Sequence, residues 1–287
     1  MTNNCQSTGG IIVCPPVRNR YFYGKMLDVC HFEMEQRYMN EKRWLLNRLV
    51  AGYGVVCGLG VQLGSDQKSV VVSPGVAIDK CGREIIVCQQ SDPIPLPPPQ
   101  PQPQPPANVA GGGDQGGGAA PANPAPGAAP ALPPGSKAAS TCADDAGSTY
   151  CYLSICYHEC QTDPSPAFGG DCDTQSMCSP GAIRERYCLK LTNGRLCPAS
   201  TTSPLQAVIS NGGVINYGLL ASYVSKAPCL GAIQDCCIPL ANIQIPTLPA
   251  TTYMIDGTIC PIVFTNDLLY QLIVAISQGS ANLQGGK

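Results

Sequence analysis

The chain has 287 residues, and its 17 Lys and Arg against 19 Asp and Glu leave a net charge of −2 at neutral pH. A balance this close to zero gives no electrostatic footprint for nucleic acid, so no nucleic-acid partner is expected. No apolar run reaches the roughly 18 residues of a membrane-spanning helix, so no transmembrane segment is expected.

The first 54 residues predict an arm followed by an amphipathic helix. Asp28 is a favourable N-cap, and apolar residues recur after it at helical spacing: Met34, Tyr38, Leu45 and Leu49. Gly52 and Gly54 then end the helix. Residues 18–50 carry seven basic and four acidic groups, so one helix face is mildly positive. Such a face is either exposed to solvent or part of an interaction surface.

Short strands separated by turn residues follow in residues 55–92. Four apolar stretches are predicted as strands, at residues 55–63, 70–73, 76–78 and 84–88. Pro74-Gly75 and Asp79–Gly82 supply the turn chemistry between them. The pattern predicts a compact antiparallel meander of the kind that builds small sandwiches and barrels.

A Pro/Gly-rich segment at residues 93–141 is predicted as a linker or long loop. Residues 93–136 hold 15 of the 28 prolines and 8 glycines. Proline removes ladder hydrogen bonds and glycine has no side chain to bury, so we expect polyproline II at the start and flexible chain after it. The segment suits a spacer, a ligand for a Pro-binding groove, or a tolerated surface insertion.

Two further strands are predicted beyond this segment, at residues 150–157 and 186–191. The residues between them, 158–183, are rich in Gly, Pro and Asp and predict an irregular loop. We expect both strands to pair with the meander. Residues 55–92 and 142–200 would then form one split, cysteine-rich β domain.

Residues 201–287 predict a C-terminal strand–helix region. Its elements are a candidate helix at 219–224, a strand at 238–245, a turn at Asp256-Gly257 and a helix at 266–277. The last helix has Asn266 as its predicted N-cap and an inner face of Leu269, Leu272 and Ile273. The whole chain is therefore predicted as α+β and mainly β.

Cysteine, with 18 residues, is the most unusual part of the composition. The number is even and dense enough for a disulfide framework, which belongs to oxidising compartments. The N-terminus has neither the basic nor the apolar region of a signal peptide. We expect synthesis in the cytoplasm, with a final place there, outside the cell or in a particle. Metal binding and reduced, buried thiols are the alternatives.

The disulfide candidates are Cys57, Cys81, Cys88, Cys142, Cys151, Cys156, Cys160, Cys172, Cys178, Cys188, Cys197, Cys229, Cys236, Cys237 and Cys260. Cys81 and Cys88 flank a hairpin arm that a bridge between them could staple. The adjacent Cys236 and Cys237 would form either a vicinal ring or two separate bridges, and two bridges are favoured. Cysteine pairing itself cannot be deduced from a sequence.

Three metal-ligand types alternate along the first of the later strands: Cys156, His158 and Cys160. A strand places all three on one face, where they could bind Zn²⁺ with Cys172 or Cys178 as the fourth ligand. Zinc ligands usually come as C-x-x-C pairs, which the chain lacks. Disulfides or free thiols explain the same residues. Zn²⁺ is therefore the one cofactor considered, and none is expected.

Residues suited to catalysis are scarce. The chain has two histidines, His31 and His158, and lacks nucleophile-elbow, metalloprotease, P-loop and dinucleotide-binding motifs. Asp79, Arg83 and Glu84 cluster at a turn, where paired carboxylates could serve a hydrolase. Turn chemistry and solubility explain the same cluster. We expect no catalytic residues and no enzymatic activity.

Several runs of this sequence resemble a bacterial family of largely uncharacterised proteins associated with gene clusters for phage tail-like contractile injection systems. The run beginning RNRYFYGKMLDVC at Arg18 and the run VVVSPGVAIDKCGREIIV at residue 70 carry the resemblance. YHECQTDPSPAFGGDC and IRERYCLKL extend it. The PGVAIDKCGREI turn is also similar to segments near the baseplate-attachment ends of phage tail-fibre proteins.

The resemblance covers residues 18–90 and 150–192 and, more weakly, residues 238–273. The 93–141 segment and the cysteine density depart from the family. What the resemblance implies is a baseplate- or fibre-type structural subunit without catalytic residues, which joins a symmetric particle by an arm and a helix.

The predicted interface residues are Arg18, Arg20, Tyr21, Tyr23, Lys25, Arg37, Arg43 and Trp44. Aromatic side chains flanked by Arg suit interface anchors, although Tyr21–Tyr23 could instead pack the arm onto its own domain. We expect a non-enzymatic subunit that binds copies of itself or other subunits of such a particle or of another extracellular assembly. The alternative is a cysteine-rich binding module with a Zn²⁺ or redox-linked site.

Overall fold

The structure is a computed structural model that describes residues 16–101, 149–166, 178–198, 208, 215–226 and 235–284. The fold is α+β and mainly β, as expected. Its elements in chain order are α1 (Val29–Leu46), a π-helical turn (Asn47–Ala51), β1 (Gly54–Gly58), β2 (Val61–Leu63), β3 (Ser69–Val72), β4 (Gly75–Ile78), β5 (Glu84–Val87), β6 (Ile94–Pro95), β7 (Thr149–Pro166), β8 (Cys178–Asn193), α2 (Tyr217–Lys226), β9 (Ile238–Ile245), β10 (Met254–Asp256) and α3 (Asn266–Gln284).

Helix α1 begins and ends where the sequence predicts. The Asp28 carboxylate accepts from the Val29 N–H at 2.6 Å, and the Asp28 N–H donates to His31 Nδ1 at 3.2 Å, which makes a reciprocal capping box. After the π-helical turn, Gly52 takes a φ of +82° that glycine tolerates, and the helical run ends there.

The short strands of the meander are present, and they divide between two antiparallel sheets. One sheet has the order β1-β4-β5 and the other the order β2-β3-β6. The turn between β4 and β5 is built on Asp79, which is fully buried. Its carboxylate accepts from the backbone N–H groups of Cys81 and Arg83, both at 2.8 Å, and pairs with Arg83 Nε at 2.7 Å. Three short hydrogen bonds satisfy the buried charge.

A third sheet, of order β10-β9-β7-β8, holds the later strands. The expected pairing of β7 and β8 with the meander is wrong, because β9 rather than the meander supplies the neighbouring strand for β7. The loop expected at residues 158–183 is wrong as well, since β7 continues to Pro166 and β8 begins at Cys178. Continuous cross-strand pairing outweighs the poor strand propensity of this composition.

The three sheets nevertheless share one apolar core. The meander sheets contribute Val70, Val72, Ala77, Ile85 and Val87, and the third sheet contributes Cys151, Leu153, Ile155, Ile238, Leu240, Ile243 and Ile245. Asn242 is a buried polar residue of the third sheet, and its amide bonds both the N–H and the carbonyl of Leu196, at 3.0 and 2.8 Å. The residues on both sides of the Pro/Gly segment thus belong to one folded body.

The C-terminal strand, turn and helices lie where they are expected, with two corrections. Helix α3 starts at Asn266, but its cap is Thr265, whose hydroxyl accepts from the Leu268 N–H at 3.2 Å. The expected inner face of α3 is exposed, namely Leu269, Leu272 and Ile273. None of the described helices is both long and apolar enough to cross a membrane.

The Pro/Gly segment starts later than its composition indicates. Ile94 and Pro95 pair with β3, and Gln100 exchanges backbone hydrogen bonds with the stretch after β9 at 2.9 Å. Residues 102–148 lie outside the described part of the chain. Both flanks of that stretch meet the end of β9, since Gln100 bridges to Thr247 and Thr149 pairs with Ile245.

Candidate functional site

Exposed apolar side chains concentrate on the arm (residues 16–28), α1 and the π-helical turn, which together we call the arm–helix surface. Its exposed large apolar residues are Val17, Tyr21, Phe22, Tyr23, Met26, Leu27, Val29, Phe32, Met39, Leu46, Leu49 and Val50. No residue of α1 is buried. A single exposed apolar residue needs no explanation, but a set of this size on successive elements is typical of a binding surface.

The arm holds its shape through Lys25. The Lys25 ammonium donates to the side-chain carbonyl of the buried Asn19, and also to the carbonyl of Arg20 at 3.0 Å. The same ammonium lies about 6 Å from the ring centres of Tyr21 and Phe22. One cation therefore organises a tight turn whose aromatic side chains project outward.

The arm is fastened to α1 by Tyr21. Its hydroxyl donates to the Glu35 carboxylate, and this hydrogen bond raises the pKa of Tyr21. The Tyr21 ring nevertheless stays half exposed, and Tyr23 is fully exposed at 106%. The arm is therefore bonded to its own helix through the Tyr21 hydroxyl, while much of its aromatic surface stays exposed.

The C-terminal end of α1 is joined to the β body at the β4–β5 turn. Arg43 Nε pairs with the Glu84 carboxylate at 3.2 Å, and the Asn47 amide donates to the same carboxylate at 2.8 Å and to the Gly82 carbonyl at 2.9 Å. Gly82 lies against the Trp44 carbonyl so closely that a Cβ would overlap it. These contacts anchor one end of the helix and leave its length free.

Of the predicted interface residues, six are exposed: Arg18, Arg20, Tyr21, Tyr23, Arg37 and Arg43. Lys25 and Trp44 are half-buried; Lys25 holds the turn of the arm, and the Trp44 backbone lies against Gly82. Sequence reasoning missed the apolar members of the surface on α1, such as Phe32 and Met39. Their helical spacing was present in the sequence, but the prediction followed a different apolar stripe on α1, the one that contains Met34 and Tyr38.

Two disulfides meet at adjacent cysteines. Cys236 is bonded to Cys81 in the β4–β5 turn, and Cys237 is bonded to Cys156 on β7. The adjacent pair therefore makes two separate bridges and no vicinal ring. The suggested staple between Cys81 and Cys88 is wrong, because the turn packs on the Cys236 backbone, where the Lys80 N–H donates to the Cys236 carbonyl at 3.3 Å.

Six other disulfide candidates are free thiols in the structure: Cys57, Cys88, Cys151, Cys160, Cys188 and Cys260. Their cross-strand neighbours explain several of them, since Cys57 opposes Val76, Cys151 opposes Ile243 and Cys160 opposes Arg184. Cys197 is disulfide-bonded. Cys142, Cys172, Cys229 and the side chain of Cys178 lie outside the described residues.

The three residues considered for Zn²⁺ do share strand β7, but they do not form a ligand set. Cys156 has its sulfur in the bridge to Cys237, and His158 opposes Arg186 across the hairpin. Within the described ranges, no group of three Cys, His, Asp or Glu side chains is placed to hold a metal ion.

The two carboxylates at the β4–β5 turn have different structural roles. Asp79 accepts hydrogen bonds from the backbone of the turn itself, whereas Glu84 binds Asn47 and Arg43 of the helix end. The Arg83 guanidinium completes the turn by lying 4.5 Å from the centre of the Tyr157 ring. This cluster therefore connects the β1-β4-β5 sheet, the helix end and β7.

Comparison of the chain with protein-family models and with curated proteins finds no match.

Proposed function

We propose that the protein is a non-enzymatic assembly subunit of a phage tail-like contractile injection particle or of another extracellular assembly, and that it docks through the arm–helix surface. The observation that supports this most is that twelve large apolar side chains between Val17 and Val50 are exposed on one arm and one helix. Fully burying one such side chain contributes about 1.5–3 kcal/mol. Burial of these side chains against a partner would stabilise the complex by that free energy for each side chain.

The way the surface is held also supports docking. Lys25, Tyr21 and the Asp28 cap fix the arm and the helix start before any partner arrives. A surface that is ordered in advance loses less conformational entropy on binding. The particle class comes from the resemblance of RNRYFYGK and PGVAIDKCGREI described above.

The disulfides bear on where the assembly operates. Bridges that join segments 155 and 81 residues apart persist in oxidising surroundings and are rare in a reducing cytoplasm. An exposed particle meets such conditions once it leaves the cell or is released on lysis.

The direct test is sedimentation of sheared tail-like particles from cells that make this chain. We expect the wild-type chain to sediment with the particle, and expect Arg20→Glu and Tyr23→Ala to stay at the top of the gradient with an unchanged thermal midpoint. Tyr217→Ala is the matched control, since Tyr217 is a 76% exposed aromatic residue on α2, away from the arm–helix surface. Co-sedimentation of the arm variants, or wild-type chain found only at the top, would reject the proposal.

A second candidate function is a redox-linked binding module. It is favoured by the free thiol of Cys188, which lies opposite the bridged Cys156. Thiol–disulfide exchange between these residues, tested as described in the Discussion, is what this function requires.

A further inference from the structure

The exposed apolar residues of α1 follow a repeat of their own. Val29, Phe32, Met39 and Leu46 are 68, 53, 64 and 61% exposed. With Gln36 and Arg43 included, the positions advance by alternating steps of three and four residues, and we call these six residues the seam. An average step of 3.5 residues is the spacing at which two helices wind around each other.

We propose that the seam binds the seam of a second copy of this chain in an antiparallel orientation, an inference that rests on the proposed docking role of the same surface. In this alignment Val29 packs against the partner's Leu46, Phe32 against the partner's Arg43, and Gln36 against the partner's Met39. Each of these residue pairs forms one layer of the interface, and each layer occurs twice because a two-fold axis relates the two copies. Six layers result, and the exposed part of the Arg43 guanidinium, whose Nε pairs with Glu84 of its own chain, meets an aromatic face.

The charged neighbours of the seam favour the same alignment. Glu35 and Lys42 are exposed and flank the seam on one side. When the helices run antiparallel, Glu35 of one copy lies beside the partner's Lys42, twice per dimer. Charge pairs at these flanking positions decide helix orientation in such packings.

A parallel pair of the same helices is disfavoured. It would place Arg43 beside the partner's Arg43 inside the interface, where two like charges repel even though each Arg43 also pairs with Glu84 of its own chain. It would also set Gln36 against the partner's Gln36, and Glu35 and Lys42 would each face an Asn instead of an opposite charge.

Light scattering of the whole chain after gel filtration tests the inference. We expect a dimer at tens of micromolar, and expect Met39→Asp to give a monomer with at least a hundredfold weaker association. Met26→Asp is the matched control, because Met26 is 89% exposed but lies on the arm and off the seam. A monomeric wild-type chain, or a Met39→Asp variant that remains dimeric, would overturn the inference.

Charge reversal tests the orientation. We expect Glu35→Lys and Lys42→Glu each to weaken the dimer about tenfold, and expect the double variant to restore it. Because Glu35 also accepts a hydrogen bond from Tyr21 of its own arm, Tyr21→Phe is the control and should leave the dimer unchanged. In the variant carrying both Val29→Cys and Leu46→Cys, mild oxidation should join residue 29 to residue 46 of the other copy, as mapped by mass spectrometry. A bond between two copies of residue 29 would instead show parallel packing and overturn the inference.

The two proposals fail separately. A chain that is monomeric by light scattering but sediments with the particle retains the proposed function and loses the dimer. A seam-dependent dimer that never sediments with the particle retains the inference and loses the proposed function.

Discussion

Cys188 on β8 lies directly opposite Cys156 on β7, and Cys156 is itself bonded to Cys237 on its other side. Three sulfur-bearing residues therefore form one row across three neighbouring segments, with a free thiol at one end and a disulfide at the other. Directly opposed strand residues have Cα atoms about 4.5–5.5 Å apart, which falls within the range that a disulfide spans.

We predict thiol–disulfide exchange within this row, in which the Cys156–Cys237 bond is replaced by a Cys156–Cys188 bond. The Cys188 thiolate attacks Cys156 Sγ, the Cys156–Cys237 bond breaks, and Cys237 leaves as a thiolate that takes up a proton, so no oxidant is consumed. Alkylation after incubation at pH 8.5, followed by peptide mapping, should show a fraction with a Cys156–Cys188 bond and alkylated Cys237. Cys188→Ser should abolish this fraction and Cys88→Ser should not. Cys237 that is never alkylated in the wild type would contradict exchange.

Gly82 is predicted to be essential for the joint between α1 and the β body. Its φ of +89° strains any other residue, and an added Cβ would overlap the Trp44 carbonyl. Gly82→Ala should therefore lower the free energy of unfolding by more than about 2 kcal/mol and expose the helix to limited proteolysis. Gly194→Ala is the control, because Gly194 has a φ of +112° with open space around it and should lose only about 1–2 kcal/mol. Equal losses in the two variants would argue against the contact.

Cys151 should make the stability depend on alkaline pH. Burial in the core raises the pKa of this thiol from 9.0 to about 11, so the folded state holds its proton where the unfolded chain releases it. Its contribution is complete below pH 9 and is lost as the pH rises toward 11, by roughly 2–3 kcal/mol.

Denaturant unfolding from pH 7 to 10.5 measures this loss. Cys151→Val keeps the apolar packing and removes the titrating group, so its stability should fall less steeply above pH 9 than that of the wild type. Parallel curves for the two proteins would show that Cys151 does not carry the effect.

Residues 102–148 are predicted to be replaceable by a short linker. The flanking residues Gln100 and Thr149 both contact the end of β9, at Thr247 and Ile245, and strand geometry places them within roughly 10–15 Å. Six Gly and Ser residues span that gap. The shortened chain should keep its thermal midpoint within about 3 °C, whereas deletion that extends back to Pro93 should lower it, because Ile94 pairs with β3. A large loss from the shorter deletion would assign the segment a structural role.

Local signals predicted the individual elements well. The Asp28 cap, the glycines after the helix and the turn at Asp79 are decided by hydrogen bonds between near neighbours in sequence, so their residue types reveal them. Strand partners depend on segments far apart in the chain. Nothing in residues 150–157 distinguishes β9 from the meander as a neighbour, and that expectation was wrong.

The candidate site could be predicted in outline only. The aromatic and basic residues of the arm mark an interface by type, whereas the seam is defined by which side of α1 stays open. Two apolar stripes run along this helix, and the sequence favoured the one containing Met34 and Tyr38, which is half-buried. Choosing between the stripes requires knowing where Gly82 and Glu84 contact the helix end.

The adjacent cysteines at the start of β9 have a mechanical consequence. Cys236 is tied to the turn that joins β4 and β5, and Cys237 to β7. Tension applied to the small sheets or to the long hairpin would pass through covalent sulfur bonds at one point before it reached the apolar core. Reduction of both disulfides would remove these covalent links, and the sheets would then separate under a much smaller force.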